Sequence, residues 1–168
     1  MAEFSVFTKP SFDELYEKYF DKVYKYVYTI VLHKENAEDI VADTFMSAYR
    51  NFDSFDPARA SFVTWITRIA HNTAVNLVRS ASFRYRADLP EDFELGGKDP
   101  ELEKITEANE TLLFLYEKLS SEEKEFLNMR YTMELKDSEV AEILGLNVKT
   151  VNKRYQRLLE KCRKILNQ

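Results

Sequence analysis

"DSEVAEILGLNVKTVNKRYQRLLEKCRKIL", Asp137 to Leu166, decides how this chain is read. Val140, Ala141, Ile143 and Leu144 give a short helix an apolar side. Gly145 follows, where a helix ends most cheaply in a left-handed residue. Asn147 is a natural N-cap for a second helix. Val148, Val151, Tyr155, Leu158, Cys162 and Ile165 then recur at alternating spacings of three and four, which makes one apolar seam along a long helix. Ala141 is small enough to let the two helices cross closely. The outer side of the long helix carries Lys149, Asn152, Lys153, Arg154, Gln156 and Arg157. This is the outline of a helix-turn-helix. Its outward side chains suit the major groove: Arg and Lys pair with guanine O6/N7, and Asn and Gln with adenine N6/N7. Others of the set are expected to hold phosphates, since positioning contacts usually outnumber base contacts.

The formal net charge of −5 works against such a helix until the charge is divided along the chain. Residues 59–86 carry Arg59, Arg68, Arg79, Arg84 and Arg86 and no acid, and residues 138–168 carry seven bases against three acids. Residues 1–58 and 87–137 hold the acidic excess. Two basic islands therefore alternate with two acidic stretches, and the islands are the candidates for phosphate contact.

Upstream of the motif the chain is also helical. Ser11 and Glu14 form a capping-box pattern ahead of Phe12, Leu15, Tyr16, Tyr19, Phe20, Val23, Val27, Ile30 and Val31, which predicts a helix to Leu32. Asn36 is the expected cap of a second helix with Ile40, Val41, Phe45, Ala48 and Tyr49 on its apolar face. "NFDSFDPARA" (Asn51–Ala60) reads as a loop, and Ser61 caps a third helix with Phe62, Trp65, Ile66, Ile69, Ala70 and Leu77 inward. "ADLPEDFELGGKDPELEK" has little periodicity and reads as a linker, with a helix resuming near Pro100 and running to Leu119. Ser120 and Glu123 make a second capping box for a helix to about Thr132. The expected fold is all-α: a helical domain over 1–86, an acidic linker over 87–110, and a helix-turn-helix domain over 111–168.

Other classes lack support. Three Gly and four Pro in 168 residues disfavour a turn-rich β fold. The single cysteine, Cys162, lies on the seam and forbids an intrachain disulfide. His33 and His71 stand far apart, so no zinc site is expected. No cofactor, Gly-rich phosphate loop or Ser/His/Asp constellation is evident. Without a signal-peptide pattern or an apolar run of about 18 residues, the expectation is a cytoplasmic protein with no membrane insertion.

Two blocks carry a family resemblance. "AEDIVADTFMSAYRNFDSFDPARASFVTWITRIAHNTAVNLVR" resembles the core-binding and promoter-melting domain of bacterial RNA polymerase sigma factors of the extracytoplasmic-function (ECF) group. "LSSEEKEFLNMRYTMELKDSEVAEILGLNVKTVNKRYQR" resembles their −35-reading domain. The resemblance implies a protein that is not an enzyme, acting with RNA polymerase core and promoter DNA, monomeric when free and open to control by an anti-sigma factor. It implies that Asp39 and Asp43, four apart on one helical face, dock on polymerase core. The family commonly has Gln where this chain has Ala42. The −10 element falls to Phe52, Phe55, Arg68, Asn72, Asn76 and Arg79, with Phe52 and Phe55 either walling a flipped base or anchoring the loop. Trp65 matches an aromatic position of a stacking wedge, but Ile66 follows it, so a core role is expected. The −35 element falls to the six outward residues of the last helix. Lys136 replaces the usual Ser or Thr before the motif, leaving Asp137 or Ser138 to cap. The acidic linker matches a connector that passes through the polymerase. A separate reading, an autonomous dimeric regulator, predicts specific duplex binding without polymerase.

Overall fold

The computed structural model describes residues 10–31, 33–85 and 110–167, and among these every regular element is helical. Helices α1 (Phe12–Val31), α2 (Lys34–Arg50) and α3 (Phe62–Tyr85) precede α4 (Glu110–Glu117), α5 (Ser121–Tyr131), α6 (Asp137–Leu144) and α7 (Val148–Leu166). One 3₁₀ turn, Phe52–Ser54, lies between α2 and α3. Of the expected linker, only Glu110 is described, and it opens α4; the helical start near Pro100 lies outside the described residues.

The helix starts follow side-chain chemistry. The Glu14 N–H donates to Ser11 Oγ at 3.3 Å, and the Ser11 N–H donates to the Glu14 carboxylate at 3.2 Å. Ser120 and Glu123 repeat that exchange at 2.9 and 3.3 Å. Ser61 accepts from the Thr64 N–H at 3.2 Å. Helix α2 departs from expectation. It starts at Lys34, and His33 is its cap: the imidazole Nδ1 accepts from the Asn36 N–H at 3.4 Å. Asn36 is thus a helical donor, because an imidazole lone pair can fill the acceptor role usually taken by a short oxygen side chain.

Helices α1, α2 and α3 pack pairwise around one core. Leu15, Val23 and Val27 meet Ile40, Val41, Phe45 and Ala48 from α2 and Phe62, Ile66 and Ala70 from α3, all buried. Each of the larger side chains among them (Leu, Val, Ile, Phe) contributes roughly 1.5–3 kcal/mol on burial. Aromatic rings pin the loop after α2: Phe52 lies 5.3 Å from Phe12, and Phe55 lies 5.6 Å from Phe62 and 5.1 Å from Trp65. In the second half, Phe126, Met129, Val140, Ala141, Val151, Tyr155, Leu158 and Cys162 are buried.

Four residues assigned to apolar faces are exposed: Tyr16, Tyr49, Leu77 and Val148. Tyr49 stands in the last turn of α2, with its ring 5.2 Å from that of Phe12. Among the described side chains of α3 the last buried one is Ala74, one turn before Leu77. Val148 is the first residue of α7, where the seam runs out into solvent.

The two halves touch. Helix α1 lies against α5, and α3 lies against α6. Helix α1 is therefore covered on more than its predicted stripe, and Tyr26, Tyr28 and Thr29 are buried beside it.

Candidate nucleic-acid interface

The turn between α6 and α7 is built as a helix-turn-helix. Gly145 has φ +64°, and the Leu146 N–H donates to Ala141 O at 2.8 Å, closing the end of α6. Asn147 Oδ1 accepts from the Lys149 N–H at 2.8 Å and starts α7. Neither Asp137 nor Ser138 caps α6. Lys136 holds the cap position, and its N–H donates to Glu139 Oε2 at 2.7 Å. An ammonium has no lone pair to accept with, so only this half of the capping exchange forms. Asp137 is instead engaged by Arg130, and it accepts from Asn152 Nδ2 at 3.3 Å.

Helix α7 is held from beneath by Tyr155. Its buried hydroxyl donates to Phe126 O at 2.8 Å, its ring lies 4.1 Å from that of Phe126, and the Arg130 guanidinium sits 4.6 Å over it. Burial pushes the Tyr155 phenol far above its ordinary range, so it remains a donor. With Val151, Leu158 and Cys162 also buried, α7 turns Lys149, Asn152, Lys153, Arg154, Gln156 and Arg157 outward, and all six are exposed. The long helix is thus anchored on one side and presents donors on the other.

On α3, Arg68, Asn72, Asn76 and Arg79 follow one another at helical spacing, so they share a face. Asn72, Asn76 and Arg79 are exposed. Arg68 is half-buried and paired with Glu142 of α6. Phe52 and Phe55 pack within the loop before α3. Phe55 is 6% exposed and Phe52 half-buried, with their rings 6.0 Å apart, so both anchor the loop here. Trp65 is also half-buried, packed on Phe55 and Phe62.

Asp39 and Asp43 are both exposed on α2. Beside them an apolar groove of about 650 Å³ runs between α1 and α2, lined by Tyr16, Phe20, Phe45, Met46 and Tyr49 among others. Among the described residues, no group of His, Cys, Asp or Glu could hold a metal ion, and no helix is long and apolar enough to cross a membrane.

Sequence reasoning missed the polar contacts between the halves. Tyr26 OH donates to Glu125 Oε1 at 2.9 Å, and His71 Nδ1 stands 2.6 Å from the same oxygen. Burial, then the Glu125 charge, raises the Tyr26 phenol well above its ordinary range. Thr64 Oγ1 donates to Glu139 Oε1 at 2.6 Å, and Lys22 Nζ meets Glu134 Oε1 at 3.0 Å. Glu134 adopts φ +57°, a left-handed backbone uncommon for a non-glycine residue. Tyr26 and Thr64 lie off the hydrophobic stripes, so no periodic signal marks them as buried.

Two protein families match the chain: "Sigma-70 region 2" over residues 15–84 and "Sigma-70, region 4" over residues 110–162. Among curated proteins, the ECF RNA polymerase sigma factor SigW of Bacillus subtilis is 31% identical over 171 residues, covering 93% of this chain and 89% of SigW. RNA polymerase sigma factor YlaC of Bacillus subtilis is 30% identical, covering 86% of this chain and 85% of YlaC. The ECF RNA polymerase sigma factor BldN of Streptomyces coelicolor is 31% identical over 89% of this chain, which spans only 59% of BldN. Among solved structures, the sigma factor RpoE in complex with the anti-sigma factor NepR from Bartonella quintana superposes with a TM-score of 0.71 at 18% identity, covering 93% of this chain and 96% of that one. CnrH in complex with the cytosolic domain of CnrY gives 0.64 at 24% identity, covering 93% and 87%. These two likenesses concern the fold.

Proposed function

The chain belongs to the sigma-70 family, in its ECF group, and from that premise we propose how its surfaces divide the work of transcription initiation. It binds RNA polymerase core and directs it to promoters through two DNA-facing helices. Helix α7 enters the major groove of the −35 element. Helix α3 engages the −10 element and holds its opened strand through Asn72 and Asn76, with Arg68 and Arg79 on phosphates. Asp39 and Asp43 pair with basic side chains of polymerase core, next to the apolar groove that gives the contact its area.

The observation that carries this reading is the split of α7. One side is buried on Tyr155 and its neighbours, and six DNA-compatible side chains stand exposed on the other. A helix serving only as a core element has no need of that row.

The role is one of binding rather than bond-making, exercised in the cytoplasm where polymerase works. RpoE and CnrH were each solved in complex with a partner, an anti-sigma factor in the case of RpoE. An inhibitor of that kind is proposed for this chain as well, covering its polymerase-facing surfaces.

The melting assignment is tested on Asn72→Ala and Asn76→Ala. A lost base contact is worth roughly 1–3 kcal/mol. The double variant is expected to bind core normally and to reduce permanganate-reactive thymines in the −10 region by about ten-fold or more. Unchanged opening would remove α3 from the −10 role.

A further inference from the structure

The second half of the chain presents four carboxylates to the first half, and each meets a donor. Glu142 pairs with Arg68, and Glu139 accepts from Thr64. Glu125 takes Tyr26 and His71 on one oxygen, and Glu134 takes Lys22. The donors all lie on α1 and α3, and the carboxylates on α5, α6 and the turn between them. Among the described residues, these contacts share one polarity: donors from the first domain, anions from the second. Two of the donors, Thr64 and Arg68, stand at the head of the row that continues through Asn72, Asn76 and Arg79.

A carboxylate and a phosphodiester ask the same of a guanidinium: anionic oxygens accepting from its N–H fork. Arg68 cannot serve both. We infer that the α1–α3 face is one anion-taking surface with two mutually exclusive occupants. In the free chain it holds the carboxylates of α5 and α6. In the promoter complex it holds strand phosphates, and the two domains must part before it can. The inference rests on the reading of α3 as the −10 helix.

The interface has two parts of different character. Tyr26, His71 and Glu125 are largely buried, and parting them exposes a polar cluster to water that satisfies it again. Arg68 with Glu142 is at the edge, with side-chain exposures of 38% and 61%, where an incoming strand reaches first. Parting can thus begin at Glu142 without unfolding either domain, since α6 keeps its own packing on α7. The same geometry gives the acids of the second half a task besides solubility: they occupy the head of a DNA-facing helix, at Thr64, Arg68 and His71, until polymerase and promoter displace them.

The test uses the full chain with Glu142→Gln and Glu142→Lys, edge substitutions that leave the buried core alone. Glu17→Gln and Glu17→Lys, exposed on α1, match their change in net charge. Two readouts are taken: energy transfer between dyes on Glu35→Cys and Arg163→Cys in a Cys162→Ala background, and anisotropy of a fluorescein-labelled random single-stranded 15-mer. Relative to Glu17→Lys, Glu142→Lys is expected to lengthen the dye distance and tighten the oligonucleotide by about three- to ten-fold. Glu142→Gln is expected to move both readouts the same way and less far. An unchanged distance, or binding no tighter than that of the charge-matched control, overturns the inference. Arg68→Ala in the Glu142→Lys background separates the two layers. If the domains part but Arg68→Ala does not weaken oligonucleotide binding, the −10 role of Arg68 fails, and the shared surface fails with it.

Discussion

Replacing Gly145 by Ala tests the turn on which the DNA-reading unit depends. Gly145 ends α6 at φ +64° and ψ +33°, and a Cβ placed there meets no atom within 4 Å. No steric clash is therefore added, and the cost is that of holding an L-residue in the left-handed region, about 1–2 kcal/mol. For a chain of this length each kcal/mol moves the midpoint by about 2–4 °C. Thermal unfolding followed by far-UV circular dichroism should fall by roughly 2–8 °C for Gly145→Ala. Gly145→Asn should lose less, because Asn visits this region more readily. The six outward residues of α7 are untouched, so promoter binding at low temperature should persist. A loss above about 4 kcal/mol would mean that packing crowds the turn, against the open space seen here. No loss in either variant would mean that the residue is not left-handed, and the geometry given for the motif would be wrong.

Other consequences are as direct. Tyr155→Phe removes the donor to Phe126 O and should cost about 1 kcal/mol, read as a lower denaturant midpoint at unchanged slope. Ile66→Ala, at a fully buried site, should cost about 2–5 kcal/mol in the same measurement. Burial raises the Glu123 carboxyl, but hydrogen bonds from Lys161 and from the Ser120 N–H outweigh it and leave the carboxyl below its ordinary range. Its contribution is therefore complete above the ordinary glutamate value near ~4.3 and is lost as pH falls through the lower folded value. Glu123→Gln should flatten that part of the stability–pH curve, and an unaltered acid limb would refute the assignment. Asp39→Ala with Asp43→Ala should weaken polymerase-core binding in pull-down titrations, by more at low salt than at high, while leaving thermal stability nearly unchanged.

How far the sequence alone reached depended on whether a feature was local. Capping boxes at Ser11 and Ser120, the Gly145 turn and the Asn147 cap are each determined within four residues, and the structure has them all. The seam of α7 was legible because one side of that helix is packed and the other is wet. The cap of α2 was misread because His33 is an uncommon acceptor in that role. Tyr49 and Leu77 were assigned inward by periodicity, which does not know where a helix outruns its neighbours. Phe52 and Phe55 carried two open readings, of which packing displays the loop anchor. The contacts of Tyr26, Thr64 and His71 were invisible for a deeper reason. They join residues 75 to 99 positions apart, except for the 54 between His71 and Glu125, and single polar side chains leave no periodic trace at such separations.

The central claim, that one chain carries two promoter-reading hands and works only with polymerase, has one direct measurement. Core RNA polymerase is supplied with this protein and a library of random promoter DNA, and the transcribed templates are sequenced. Transcripts should depend on the added chain, with two enriched sequence blocks at −35 and −10. In a parallel gel shift the chain alone should select no duplex. Tight, specific duplex binding without core, or transcription that ignores one of the two blocks, would contradict it.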